Sequence, residues 1–588
     1  MNEIYSKLRN RIELPLADKM ERAVSHFSFA EKVLFGILIV LFSGSSYLLF
    51  YEVNSSFTSQ VPVPGGSLSE GIIGSPRFIN PLLSTSEADR DLVSLVYSGL
   101  TRATPEGSLI PDLAASWAIS EDGLSYDFLI KNDAVFQDGT PVTSEDIIFT
   151  VEKAKDPSLK SPKRASFDGV EVQKISDKEV RFVLRQPYAP FLENTTLGIL
   201  PKHLWGNVSE EEFPFSAYNF EPVGSGPFKV VSVSRNSGGI PESYKMAPFE
   251  KYTLGVPYIS KITLSFYSNT ESLEAAYVNG VIESVNGITP ERVAAYEKTG
   301  ASVISTPLPR IFGVFFNQNQ APIFLDKSVR AALETSISRE EIISKVLQGF
   351  GEPVRTAVPS YILRNLNRGA ATTPEEKIAA SREALLKAGW KWSEEKKVLV
   401  LPQKNRQGKV TGETELAFSI STGNVPELKK TADIVKETWE KVGARVDIKV
   451  FETGDLTPNV IRPRKYDALL FGMVVGRDLD LFAFWHSSQR NDPGLNVAMY
   501  ANTKADKLLS EARTIPNQRD RIERYRSFEK EIDADTPAVF LYAPEFIYVL
   551  PEKIKGVDIR NITIPSERFQ NVQAWYIDTE RVWNIFVD

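Results

Sequence analysis

Between Val33 and Tyr51 the chain runs "VLFGILIVLFSGSSYLLFY" without a single charged residue. Coiled as a helix that rises 1.5 Å per residue, it reaches roughly 28 Å, enough to cross the hydrocarbon core of a bilayer. Lys7, Arg9, Arg11, Lys19, Arg22 and Lys32 precede it, and the next basic residue is Arg77. That asymmetry predicts a single-pass anchor, residues 33–51 in the lipid bilayer, with residues 1–32 in the cytoplasm and the bulk of the chain extracellular or periplasmic. A cleaved signal peptide is the competing reading, with Ser43-x-Ser45 as a small-residue site. The segment before the apolar run is long for a signal peptide and apolar residues continue past that site, which favours an uncleaved anchor. A buried soluble helix would carry a polar stripe, and this run has none.

Residues 52–66 are rich in Ser, Pro and Gly and are expected to form a flexible linker. The whole chain has 588 residues, more than one hydrophobic core supports, so at least two lobes are expected. A net charge of −7 argues against a nucleic-acid partner, because phosphate affinity rests on clustered Lys and Arg. With no cysteine, the chain forms no disulfide or thiolate metal site and carries no lipid-attachment cysteine.

Local patterns predict a mixed α/β body. In "FQDGTPVTSEDIIFTV" (Phe136 to Val151), Asp138-Gly139 reads as a turn, with Gly139 at positive φ and Pro141 stiffening the exit. Thr143 then caps a helix, with Asp146 reaching back as in a capping box. Asp326, Ser338 and Thr373 are expected to open further helices, while Gly349 and Gly389 close the last two. Leu416 to Ile420, a helix from about Pro426 to Lys441, and Val446 to Val450 form a strand, helix, strand unit, which implies parallel pairing.

Signs of catalysis are sparse. The three histidines are His26, His203 and His486, none at metal-ligand spacing from another, and neither a nucleophile elbow nor a phosphate loop occurs. No catalytic residue, metal or cofactor is expected. A serine paired with His203 or His486 is the route by which a hydrolase would arise.

The stretch "LAASWAISEDGLSYDFLIKNDAVFQDGTPVTSEDIIFTVEKAKD" (Leu113 to Asp156) closely resembles the signature of the family 5 extracellular solute-binding proteins, the peptide- and nickel-type receptors of ABC importers. Five further segments resemble family landmarks in family order: Phe78 to Arg102, Pro222 to Val230, Gly313 to Ile343, Leu385 to Trp390 and Gly494 to Arg513. The resemblance implies a two-lobed, class II periplasmic-binding-protein-like α/β fold with an extra subdomain inserted in lobe 1. Its expected limits are lobe 1 at 67–315 with the insert at about 115–222, lobe 2 at 316–543, and a return to lobe 1 at 544–588. Hinges are expected near Arg310 to Asn317 and Leu541 to Phe546. The implied function is capture of an oligopeptide-like or other small solute by lobe closure and its delivery to ABC permease subunits, by a monomer. A surface peptide hydrolase, or a surface receptor outside transport, are the alternatives.

Peptide receptors of this family hold the peptide's amino terminus with a carboxylate three residues before an acid-proline pair. If Asp478-Leu479 stands for that pair, the position falls on Val475 and the anchor is missing; Asp478 or Asp480 would substitute if the register shifts. From their places in the matched segments, Tyr97, Phe315 and Asn317 are expected on one side of the cleft, and Arg477, Trp485, Asn496 and Tyr500 on the other.

Overall fold

The computed structural model describes residues 24–359, 373–405, 409–477 and 479–586. The chain divides into two compact units, one holding the described residues up to Val63 together with those from Asp578 onward, the other spanning Pro64–Ile577.

In the first unit, a helix covers Phe29–Ser56, longer at both ends than the apolar run. Ser28 caps it through a reciprocal bond with Glu31, and none of its residues is buried. The expected flexible linker is instead ordered. Residues to Ser56 continue the helix, and Thr58–Pro62 is a strand paired antiparallel with Thr579–Trp583, Thr58 opposite Trp583. Asn584 fastens the ribbon, its N–H donating to the Phe57 carbonyl at 2.8 Å and its side-chain oxygen accepting from Ser59 at 2.8 Å. Composition could not reveal this, because the pairing partner lies 525 residues away.

In the second unit, one mixed sheet runs through both lobes. The strand Ala538–Pro551 joins the halves: residues 538–542 pair with Arg310–Phe316, whereas residues 545–551 pair with Ala301–Pro307. On one side of it lie Arg310–Phe316, Ala468–Val474, Ala417–Gly423 and Arg445–Phe451; on the other lie Ser284–Asn286, Gly65–Ile73, Ile259–Tyr267 and two further strands. Ala417–Gly423 and Arg445–Phe451 are parallel neighbours connected by the helix Pro426–Val442. Gly443, at φ 119°, ends that helix in the left-handed region.

A separate four-stranded sheet, ordered Ala114–Ile119, Ser125–Ile130, Glu179–Leu184, Val170–Ser176, carries the helix Ser144–Lys155 and forms the inserted subdomain. Asp146 fixes the start of this helix. One of its oxygens accepts from the Thr143 N–H at 2.8 Å and from the Thr143 hydroxyl at 2.9 Å, and the other accepts from the Lys202 N–H at 2.8 Å.

Candidate functional site

A cavity of about 440 Å³ opens where the first lobe, its insert and one loop of the second lobe meet. The helix Glu87–Val96 supplies a wall. Arg90, Val93, Ser94 and Tyr97 recur at i, i+3, i+4 and i+7, so one helix face lines the cavity. The opposite face carries the buried Asp91, Leu92 and Leu95. Pro162, Lys163 and Glu193 come from the insert, Thr563 and Glu567 from the segment returning to lobe 1, and Gly476 and Arg477 from the loop after the strand Ala468–Val474.

The end of this helix is held by the glycine turn and by the stretch around Phe136. A Cβ on Gly224 would stand 2.1 Å from the Val96 carbonyl oxygen, and one on Gly226 would stand 2.6 Å from the Val96 carbonyl carbon. Only glycines admit this approach. Gln137 locks the contact, donating to the carbonyls of Val96 at 3.2 Å and Phe228 at 2.9 Å and accepting from the Gly224 N–H at 3.2 Å. The result places Tyr97, only 4% exposed, on the cavity, its hydroxyl without a partner among the described residues. Burial pushes that hydroxyl's pKa up, so it remains a proton donor at any physiological pH.

Two clusters bridge the lobes. The Arg477 guanidinium, 7% exposed, binds Glu193 through one nitrogen and Glu567 through another at 2.6 Å. Glu567 is itself positioned by the Thr563 N–H at 2.6 Å and the Thr563 hydroxyl at 2.8 Å. Alongside, Asp480 accepts from Arg513 at 3.0 Å and from the Tyr188 hydroxyl at 3.2 Å, and also caps the Phe482 N–H. Arg513 lies over the rings of Tyr188 and Phe482, and its carbonyl accepts from the Ala189 N–H at 2.9 Å.

Of the residues expected at the cleft from sequence, the structure brings Tyr97 and Arg477 to the cavity. Asp480 lies in the neighbouring cross-lobe cluster, and Asp478 falls outside the described residues. The other five sit elsewhere, inside the second lobe. Phe315 packs 6.1 Å from the buried Trp485, which also meets Tyr500 and Phe540. Asn317 shapes its own turn, accepting from the Asn319 and Gln320 N–H groups and donating to the Arg464 carbonyl. Asn496 donates to the carbonyls of Trp485 and Tyr500, and the Tyr500 hydroxyl donates to Asp535 at 2.8 Å. These residues brace the second lobe. Arg90, Lys163, Glu193 and Glu567 were not expected from sequence, since charged side chains drawn from so many separate segments leave no periodic signal.

Neither His203 nor His486 lines the cavity. His203 Nε2 lies 2.7 Å from an Asp138 oxygen, and His486 Nδ1 accepts from the Ser488 N–H at 3.1 Å as a turn cap. Among the described residues no group of three or more His, Asp or Glu is placed to hold a metal ion.

The sequence model of the bacterial extracellular solute-binding proteins, family 5 middle region, matches residues 108–494. The chain belongs to this family. This family 5 protein is 29% identical over 524 residues to the oligopeptide-binding protein AppA of Bacillus subtilis, covering 88% of the present chain and 92% of AppA. It is 22% identical to a dipeptide-binding protein of Escherichia coli, covering 85% and 93%. Among solved structures, AppA in complex with a nonapeptide matches with a TM-score of 0.66 at 27% identity, over 88% of this chain and all of that one. The substrate-binding protein CtaP of Listeria monocytogenes matches at 0.72 and 25% identity, over 87% and 99%. Family 5 members are binding proteins, and the two-lobed fold is theirs.

Proposed function

We propose that this protein is a membrane-anchored receptor on the outer face of the cell that closes its two lobes on an oligopeptide-like solute and presents it to the permease subunits of an ABC importer. The observation that carries the reading is the cavity walled by both lobes, with Arg477 of the second lobe held between Glu193 and Glu567 of the first. The strand Ala538–Pro551 changes partners between residues 542 and 545, which makes this short segment and the neighbouring Leu308–Arg310 the natural hinge. The names of the relatives, one of them solved with a nonapeptide, support a peptide as the solute. Native mass spectrometry of the full chain, released gently from detergent micelles, tests this. A ladder of peptide masses on the protein is the expected result, and one discrete non-peptide mass would overturn it.

The anchor rests on the helix Phe29–Ser56, none of whose apolar side chains is buried, and on the basic residues before it. Phe57 and Trp583 stand exposed beyond its end, where aromatic rings favour the membrane interface. The protein is expected to stay with membranes through an alkaline carbonate wash, with an intact mass that includes residues 1–45. Release into the wash, or a mass lacking that segment, would establish cleavage.

A further inference from the structure

Among the described residues, two cations on the cavity wall form no ion pair with an acidic side chain. Arg90 and Lys163 both line it, and neither side chain makes an ion pair or hydrogen bond among the described residues. The carboxylates beside them are already committed. Glu193 and Glu567 hold Arg477, while Asp112 faces Arg102 at 3.5 Å and accepts from the Thr253 hydroxyl at 2.5 Å. Lys163 feels the imbalance: enclosure by protein, and then the like charge of Arg90, push its ammonium below the usual range against a weaker pull from Glu567 and Glu193. An anion beside them would relieve that penalty. Tyr97, on the same helix face, also lines the cavity, and its buried hydroxyl makes no hydrogen bond among the described residues.

A receptor for free amino termini needs the opposite, an unpaired carboxylate. Val475, where the family resemblance puts that group, is apolar and only 1% exposed. Asp480 is taken by Arg513 and Tyr188.

We propose that Arg90, Lys163 and the Tyr97 hydroxyl form a subsite for a carboxylate of the bound solute, and that this carboxylate, not an amino terminus, fixes the solute in the cavity. The proposal rests on the reading of the cavity as the solute site. Two sources share the chemistry, the C-terminal carboxylate of a peptide and a small organic acid.

The test uses the full chain in detergent and native mass spectrometry with four probes: a randomised tripeptide mixture with free ends, the same mixture N-acetylated, the same mixture C-terminally amidated, and a set of short aliphatic dicarboxylates. Free and acetylated peptides are expected to be retained alike and amides at least about tenfold less, since a charge-assisted contact is lost. In an Arg90→Gln, Lys163→Gln double variant with an unchanged melting temperature, the preference for acid over amide should shrink to about twofold or less. Retention of amides as strong as that of acids, loss of binding on acetylation, or an undiminished preference in the variant would overturn the subsite. If dicarboxylates bind and no peptide does, the peptide reading fails while the subsite stands. If no probe binds, the subsite falls.

Discussion

Replacing Arg568 with methionine is expected to destabilise the first lobe by about 3–5 kcal/mol, the usual cost of removing one partner from a buried ion pair. A fall of roughly 5–10 °C in its thermal midpoint would follow. Arg568 is fully buried, and its guanidinium serves two carboxylates at once. It reaches Glu70 on the strand Gly65–Ile73 at 2.6 Å and Asp91 on the helix Glu87–Val96 at 2.7 Å. The Tyr548 hydroxyl donates to the second oxygen of Glu70 at 2.7 Å, and the guanidinium lies 4.1 Å from the Phe569 ring centroid. Burial outweighs the attraction of Arg568 and holds the Asp91 carboxyl up at about 6, with the charge of Glu70 adding to the rise. For an acid raised on folding, the associated stability is complete below the unfolded pKa near 3.8 and is lost as pH rises through the folded value. Without the guanidinium that folded value climbs further, so the deficit of Arg568→Met should widen between pH 5 and pH 8. Melting both proteins across that range checks the claim; a gap that is small and flat with pH would refute it. Because Asp91 lies on the helix that carries Arg90 and Tyr97, the variant should also lose solute.

What the sequence made legible is local. Thr143 with Asp146, Asp326, Ser338 and Thr373 open helices where expected, because each cap is decided by residues two or three positions apart. The parallel pair around the helix Pro426–Val442 was legible too, since a strand, a helix of that length and a second strand leave one sensible hand of crossover. The cavity was not. Its charged lining comes from positions 90, 102, 112, 163, 193, 477 and 567, and no spacing in the chain joins them. Aromatic residues misled for a related reason: Trp485 and Phe315 gain the same apolar burial in a core as in a cleft, so residue type does not tell one from the other. The ribbon of Thr58–Pro62 with Thr579–Trp583 was hidden by its composition, which reads as a linker until its distant partner is seen.

Arg477→Ala should open the cleft. Arg477 is the side chain through which the second lobe holds both the insert, at Glu193, and the returning segment, at Glu567. Without it those two carboxylates face each other across a cavity edge that is largely shielded from solvent, and their repulsion adds to the lost attraction. Truncating one member of such a hydrogen-bonded charge pair costs about 2–5 kcal/mol. A closed form favoured by less than that would cease to predominate, and solute affinity would fall about 30-fold or more. The remaining cross-lobe cluster of Asp480, Arg513 and Tyr188 limits the opening, so separation by several ångströms is expected rather than free swinging. Since the chain has no cysteine, Glu171→Cys in the insert and Lys430→Cys in the second lobe would each carry one spin label without a background signal. The distance distribution between them should be single and short with Arg477 present, longer and broader in Arg477→Ala. Arg477→Lys should fall between, because an ammonium keeps the charge but cannot present two parallel donors to two separate carboxylates. Identical distributions in all three proteins would mean that the lobes are held together by something other than this guanidinium.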